Sequence, residues 1–126
     1  MFKDTHAFSG FSVNNIAAAK EFYGTTLGLE TEISPQGLQL KIAGSNDVFV
    51  YEKPDHVPAT YTILNFPVEN IDMAVDDLTA KGIIFEKYEG MTDDKGVARG
   101  IANNMGPDIA WFKDPAGNIL SVLHNG

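Results

Sequence analysis

Cysteine is missing altogether from this 126-residue chain, which excludes a disulfide framework, a thiolate metal site and a thiol nucleophile together. Basic residues are scarce. Nine Lys and Arg stand against 17 Asp and Glu, for a net charge of -8, and Arg99 is the sole arginine. Nucleic acid and anionic membrane surfaces both require a basic footprint, so neither is expected as a partner. The acidity keeps a small protein soluble and would help a cationic guest arrive. No apolar run is long enough to span a membrane, and the opening Met-Phe-Lys-Asp-Thr-His lacks a signal-peptide core; a cytoplasmic protein is expected. Glycine-rich nucleotide loops are also absent, and Ser9 and Ser12 lie in a predicted strand with no nucleophile elbow.

What is present suits one globular domain. A hydrophobic share of 44% over this length is enough to bury a core without staples. The organising feature is a stretch used twice. Residues 11–28 read as a strand end, a cap, an amphipathic helix and a glycine stop, and residues 66–82 repeat the pattern. Phe11 answers to Phe66, Val13 to Val68, Ile16 to Ile71 and Ala19 to Ala74. Self-similarity at a fixed spacing implies one structural module present in two copies.

Along the chain, residues 6–13 alternate, placing His6, Phe8, Gly10 and Ser12 on one face of a strand and Ala7, Ser9, Phe11 and Val13 on the other. Asn14 or Asn15 caps a helix whose stripe is Ile16, Ala19, Phe22 or Tyr23, and Leu27, with Gly28 as the stop. Strands are predicted at 29–33, 38–42 and 48–52, and the proline-containing segment 53–60 joins the halves. The second half repeats the order: strand 61–68, cap Asn70, a helix with Ile71, Ala74, Val75 and Leu78 ending at Gly82, and a strand at 84–88. A long, partly mobile loop is expected over 89–107. Strands 109–113 and 118–124 close the chain, joined by Asp114-Pro-Ala-Gly117, whose residues suit a type I turn. The expected organisation is one domain, with module 5–52 and module 61–124 joined by linker 53–60.

This pattern resembles the vicinal oxygen chelate superfamily, which includes glyoxalase I, extradiol dioxygenases and bleomycin-resistance proteins. The pieces that carry the resemblance are Phe-Ser-Val-Asn-Asn-Ile at 11–16, Glu-Phe-Tyr to Leu-Gly-Leu at 21–29, and Ile-Ala-Trp-Phe-Lys-Asp-Pro-Ala-Gly-Asn at 109–118. The resemblance implies an α+β fold of two βαβββ modules whose mixed sheet curls into a cup, commonly in a homodimer, with the concave face as ligand site.

Metal-dependent members of that superfamily place His, Glu or Gln on the first and last strands of each module, where a divalent ion polarises substrate oxygens. Carried across, those positions fall on Phe8, Ile63, Ser121 and Phe49 or, two residues along the same face, Tyr51. None is a His, Glu or Gln, and neither phenyl nor alkyl side chains coordinate a metal. His6 is two residues from Phe8 on the same face and offers a displaced alternative, with Glu52, His56, Glu69 and His124 as helpers. The residues expected to face a ligand are therefore His6, Phe8, Phe49, Tyr51, Ile63, Asn65, Trp111 and Ser121, an apolar set with a few hydrogen-bonding groups. Trp111 is suited to stacking on a flat ligand or a partner surface. The expectation is a metal-independent, cofactor-free binder of a small hydrophobic or cationic molecule. Its rivals are a metal-dependent lyase or dioxygenase with a displaced site, and a structural role with a filled cup.

Overall fold

The structure is a computed structural model that describes residues 1–126. It divides into two compact units, Met1–Pro58 and Ala59–Gly126. Each is an α+β module of βαβββ order.

In the first unit, β1 (Gly10–Val13) leads to α1 (Ile16–Lys20), which widens into a π-helical stretch, Glu21–Thr26. The residue at its N-cap is Asn15, in an extended conformation, and its side-chain oxygen accepts from the Ala18 N–H at 3.0 Å. A second acceptor, Glu52 Oε1, takes the Ile16 N–H at 3.0 Å, so two of the four orphan donors of the first turn are satisfied. Gly28 closes the helix at φ +75°, a conformation that a residue with a Cβ adopts at a cost. Then follow β2 (Thr31–Ser34), β3 (Gly37–Leu40) and β4 (Val48–Glu52), in the sheet order β1-β4-β3-β2. The β1–β4 pairing is parallel and the others are antiparallel. Val13, Ala19, Phe22, Tyr23, Leu38, Leu40, Val48 and Val50 are buried between α1 and one face of this sheet.

The second unit repeats the plan with β5 (Thr62–Pro67), α2 (Ile71–Ala80), β6 (Val97–Arg99), β7 (Asp108–Lys113) and β8 (Ile119–His124). Its order is β5-β8-β7-β6. Asn70 caps α2 as Asn15 caps α1, accepting from the Met73 N–H at 3.0 Å with nearly the same backbone dihedrals. The core gathers Ile71 and Val75 of α2 with Val97, Ala110, Phe112, Leu120 and Val122. Phe85 joins it edge-on to Phe112, with ring centroids 5.6 Å apart.

Three expectations need correction. The 84–88 segment, rich in β-formers, is not a strand of the sheet; β6, at 97–99 inside the expected loop, takes the edge of β7 instead. The pairing Val97↔Ala110 to Arg99↔Asp108 occupies that edge, and beyond it the Glu86 N–H reaches the Trp111 carbonyl at 2.8 Å. Nor does the 89–107 stretch hang loose where it meets α2. Asp93 Oδ1 accepts from the Lys95 and Val97 N–H groups, and Arg99 binds both Asp93 and Asp72. The first strand is also shorter than the alternation suggests: it begins at Gly10, although the Ser9 carbonyl still accepts from the Phe49 N–H at 3.0 Å.

Candidate functional site

Strand pairing in the first unit sorts the side chains onto two faces. Phe11, Val50 and Leu38 are register partners on the face covered by α1. The other face carries Ser12 beside Tyr51, and Gly10, Phe49 and Gln39 in a row across three strands. The Phe49 and Tyr51 rings stack at 6.0 Å with an interplanar angle of 19°. Against Phe49 lies a cavity of about 460 Å³, walled by His6, Phe8, Phe49, Gln39, Gln36, Ser34, Asn46 and Asp47. That volume falls in the range of small-molecule sites.

Three of the four predicted residues in this unit, His6, Phe8 and Phe49, thus share one cavity. Tyr51 supports the Phe49 ring without lining it. Phe8 is 70% exposed, so its ring is open to contact from the cavity side. Phe49 is held in place by Gly37: a Cβ there would meet the ring at 3.0 Å and the Val50 carbonyl oxygen at 2.3 Å.

In the second unit, register sets Asn65, Ser121 and Trp111 side by side across β5, β8 and β7 on the face away from α2. The Ser121 hydroxyl donates to Asn65 Oδ1 at 2.5 Å, and Ser121 is fully buried while Asn65 is exposed. Trp111 packs edge-on against Tyr88 at 5.6 Å. Ile63 sits where the register slips between Thr62 and Leu64, a bulge that leaves it without a paired residue on β8. Asn65 is exposed, and the partner of its side-chain oxygen is the neighbouring serine.

Register also resolves the choice between Phe49 and Tyr51. Gly10, the counterpart of Asn65 in the repeat, pairs with Phe49, and Asn65 pairs with Ser121. Phe49 is therefore the counterpart of Ser121. Of the positions the resemblance singles out, Phe8 and Phe49 in the first unit carry no donor atom; in the second unit Ile63 carries none, and the Ser121 hydroxyl donates to Asn65 Oδ1. No group of three or more His, Asp or Glu residues is gathered to hold a metal ion. Phenyl and alkyl side chains offer no lone pair to a divalent cation.

Sequence reasoning missed Ser34, Gln36, Gln39, Asn46 and Asp47. Gln39 was within reach, because a polar residue between Leu38 and Leu40 must point away from the core; the loop residues carry no such signal. It also missed the tie between Ser12 Oγ and His56 Nδ1, 2.6 Å apart, which fastens the connection between the halves to β1. The displaced set around His6 is not assembled in the first unit. Glu52 caps α1 and His56 is engaged with Ser12.

No family model and no curated protein matches the sequence. Solved structures match over nearly the full length. A member of the glyoxalase/bleomycin resistance protein/dioxygenase superfamily from Sphaerobacter thermophilus DSM 20745 superposes with a TM-score of 0.70 at 22% identity, covering 99% of this chain and 100% of that one. This chain has the glyoxalase/bleomycin-resistance fold. A glyoxalase family protein from Enterococcus faecalis matches at 26% identity and TM-score 0.64, covering 97% and 98% of the two chains. TnmS3, an antibiotic binding protein from Streptomyces sp. CB03234, matches at 18% identity and TM-score 0.69, covering 100% and 99%. The glyoxalase/bleomycin-resistance fold thus accommodates proteins named for catalysis and proteins named for binding, and side chains must decide between them. No helix is long and apolar enough to cross a membrane.

Proposed function

We propose that this chain is a small-molecule-binding protein that works without a metal ion, its ligand seated against the face of the first sheet averted from α1. The observation that carries the reading is the 460 Å³ cavity with two phenyl groups, Phe8 and Phe49, and several hydrogen-bonding side chains converging on it. Aromatic walls supply contact area, and a few polar groups supply orientation. His6 stands at the cavity as a hydrogen-bonding group. In the second unit Ile63, Asn65, Trp111 and Ser121 are proposed as further ligand-facing positions, with Trp111 offering the largest apolar surface. We further propose that the two units act as one domain, in a cytoplasmic homodimer.

Support comes from the chemistry of the mapped positions, which suits an organic guest better than a cation, and from the likeness in fold to an antibiotic binding protein. A thermal-shift panel of aromatic ligands tests the reading: a site-binding compound raises Tm by mass action, and Phe49→Ala removes the effect. A flat response across a broad panel would indicate that the cavity has no ligand. Finding a stoichiometric divalent ion by elemental analysis, with chelation lowering Tm, would reinstate the lyase or dioxygenase reading. Sedimentation that returned a single-chain mass at micromolar concentration would remove the dimer.

A further inference from the structure

The cavity beside Phe49 has one formal negative charge on its wall, Asp47, and that charge is already answered. Lys41 Nζ lies 2.8 Å from Asp47 Oδ2 and 3.2 Å from Glu32 Oε2. Lys41 itself is not part of the wall, and Glu32, whose side chain is 66% exposed, lies outside it as well. The other polar groups on the wall are the Ser34 hydroxyl and the carboxamides of Gln36, Gln39 and Asn46, with His6. Asn46 spends its amide N–H on the Ala7 carbonyl at 2.7 Å, which leaves its oxygen as an acceptor. Gln39 lies beside Phe49 across the β3–β4 pairing, and its side-chain carboxamide is engaged by no hydrogen bond of the chain.

Resting on the small-molecule reading above, we propose that this cavity takes an uncharged flat aromatic guest with an amide-like donor–acceptor edge, and that Lys41 sets the preference by neutralising Asp47. The rings of Phe8 and Phe49 offer faces for stacking, and the Gln39 carboxamide complements a donor–acceptor edge atom for atom. A cationic guest would have to compete with a tethered ammonium for the same carboxylate. A carboxylate guest would meet Asp47 itself. The acidity of the whole molecule, a net charge of -8, does not reverse this. Charges farther away than the screening length of about 8 Å are damped at physiological salt, whereas Lys41 is in direct contact.

The test uses three probes of nearly one shape: naphthalene carboxamide, its carboxamidinium cation and its carboxylate anion, each titrated calorimetrically at neutral pH. The carboxamide is expected to bind about tenfold more tightly than either charged probe, a difference near 1.4 kcal/mol. Lys41→Met exposes Asp47 and is expected to invert the order in favour of the carboxamidinium. Adding Asp47→Asn to that variant restores the neutral preference, and Lys41→Arg retains it throughout. Circular dichroism confirms that each variant is folded; if Lys41→Met does not fold, Lys41→Gln takes its place with the same inversion expected, and an unchanged order in a folded variant overturns the role of Lys41. A carboxamidinium that binds the wild type as well as the carboxamide overturns the proposal while upholding the cavity as a ligand site. Binding that Gln39→Ala and Phe49→Ala leave untouched places the guest elsewhere and overturns it too. Failure of all three probes removes the cavity as a site for such guests, and the inference with it.

Discussion

Gly37 is the most constrained single residue in the first unit. The Val50 carbonyl, 2.3 Å from where a Cβ would stand, belongs to the backbone and cannot swing away, and the Phe49 ring lies 3.0 Å off on the other side. Gly37→Ala should therefore cost about 2 kcal/mol, as overpacking of a tight site does. A urea titration checks it, through a lower midpoint at unchanged slope; a midpoint equal to wild type would mean that the strands part without penalty. Asp114 is the corresponding residue in the second unit. It is 5% exposed, and its carboxylate accepts from the Ala116 and Asn118 N–H groups and from the Asn118 amide. Asp114→Ala leaves these donors facing a buried turn and should cost about 2 kcal/mol in the same titration. Of these two residues, Asp114 was legible in the sequence, because Asp-Pro-Ala-Gly makes its turn from its own atoms. Gly37 was not, because what it must avoid is a carbonyl and a ring on another strand.

At the scale of elements, the short strand β6 is held as much by charge as by its ladder. Val97 and Arg99 alternate onto the side of the sheet covered by α2, so Val97 enters the core while Arg99 meets Asp72 in the first turn of the helix. The contact is two-pronged, at 2.8 and 3.1 Å, and Lys95 adds bonds to Asp72 and Asp76. Hydrogen bonds from the Arg99 guanidinium, then from Lys95, hold the Asp72 carboxyl well below the usual carboxylate range. A depressed folded-state value means that this stabilisation is complete above the unfolded-state value near 4 and fades as pH falls below it. Arg99→Met should cost about 1 kcal/mol at pH 7, a figure suited to a partly exposed network, and should speed amide exchange over residues 89–99. Asp72→Asn should remove part of the stability lost between pH 5 and pH 2 in wild type; an acid limb identical in the two proteins would mean that Asp72 does not contribute. The helices were legible because their caps and stripes are local. β6 was not, since Val-Ala-Arg has too short an alternation to announce a strand, and only pairing with β7 makes it one.

At the scale of the whole molecule, the ligand provides the direct test. A compound at a hundredfold excess over its Kd should stabilise the folded chain by about 2.7 kcal/mol. Phe49→Ala should abolish that gain at a smaller cost to the unliganded fold than a core truncation, because Phe49 lies half-buried on the face opposite α1. A fully retained ligand shift in Phe49→Ala would move the site away from this sheet. By itself the sequence determined the two-module plan, an asparagine cap on each helix and the closing hairpin. All of these follow from spacing along the chain, which is written in the order of residues. Tertiary structure alone decided that Gln39 and Asp47 share a cavity with Phe49, and that Lys41 answers the charge there. Neighbours across strands depend on register, and register follows from how whole faces pack.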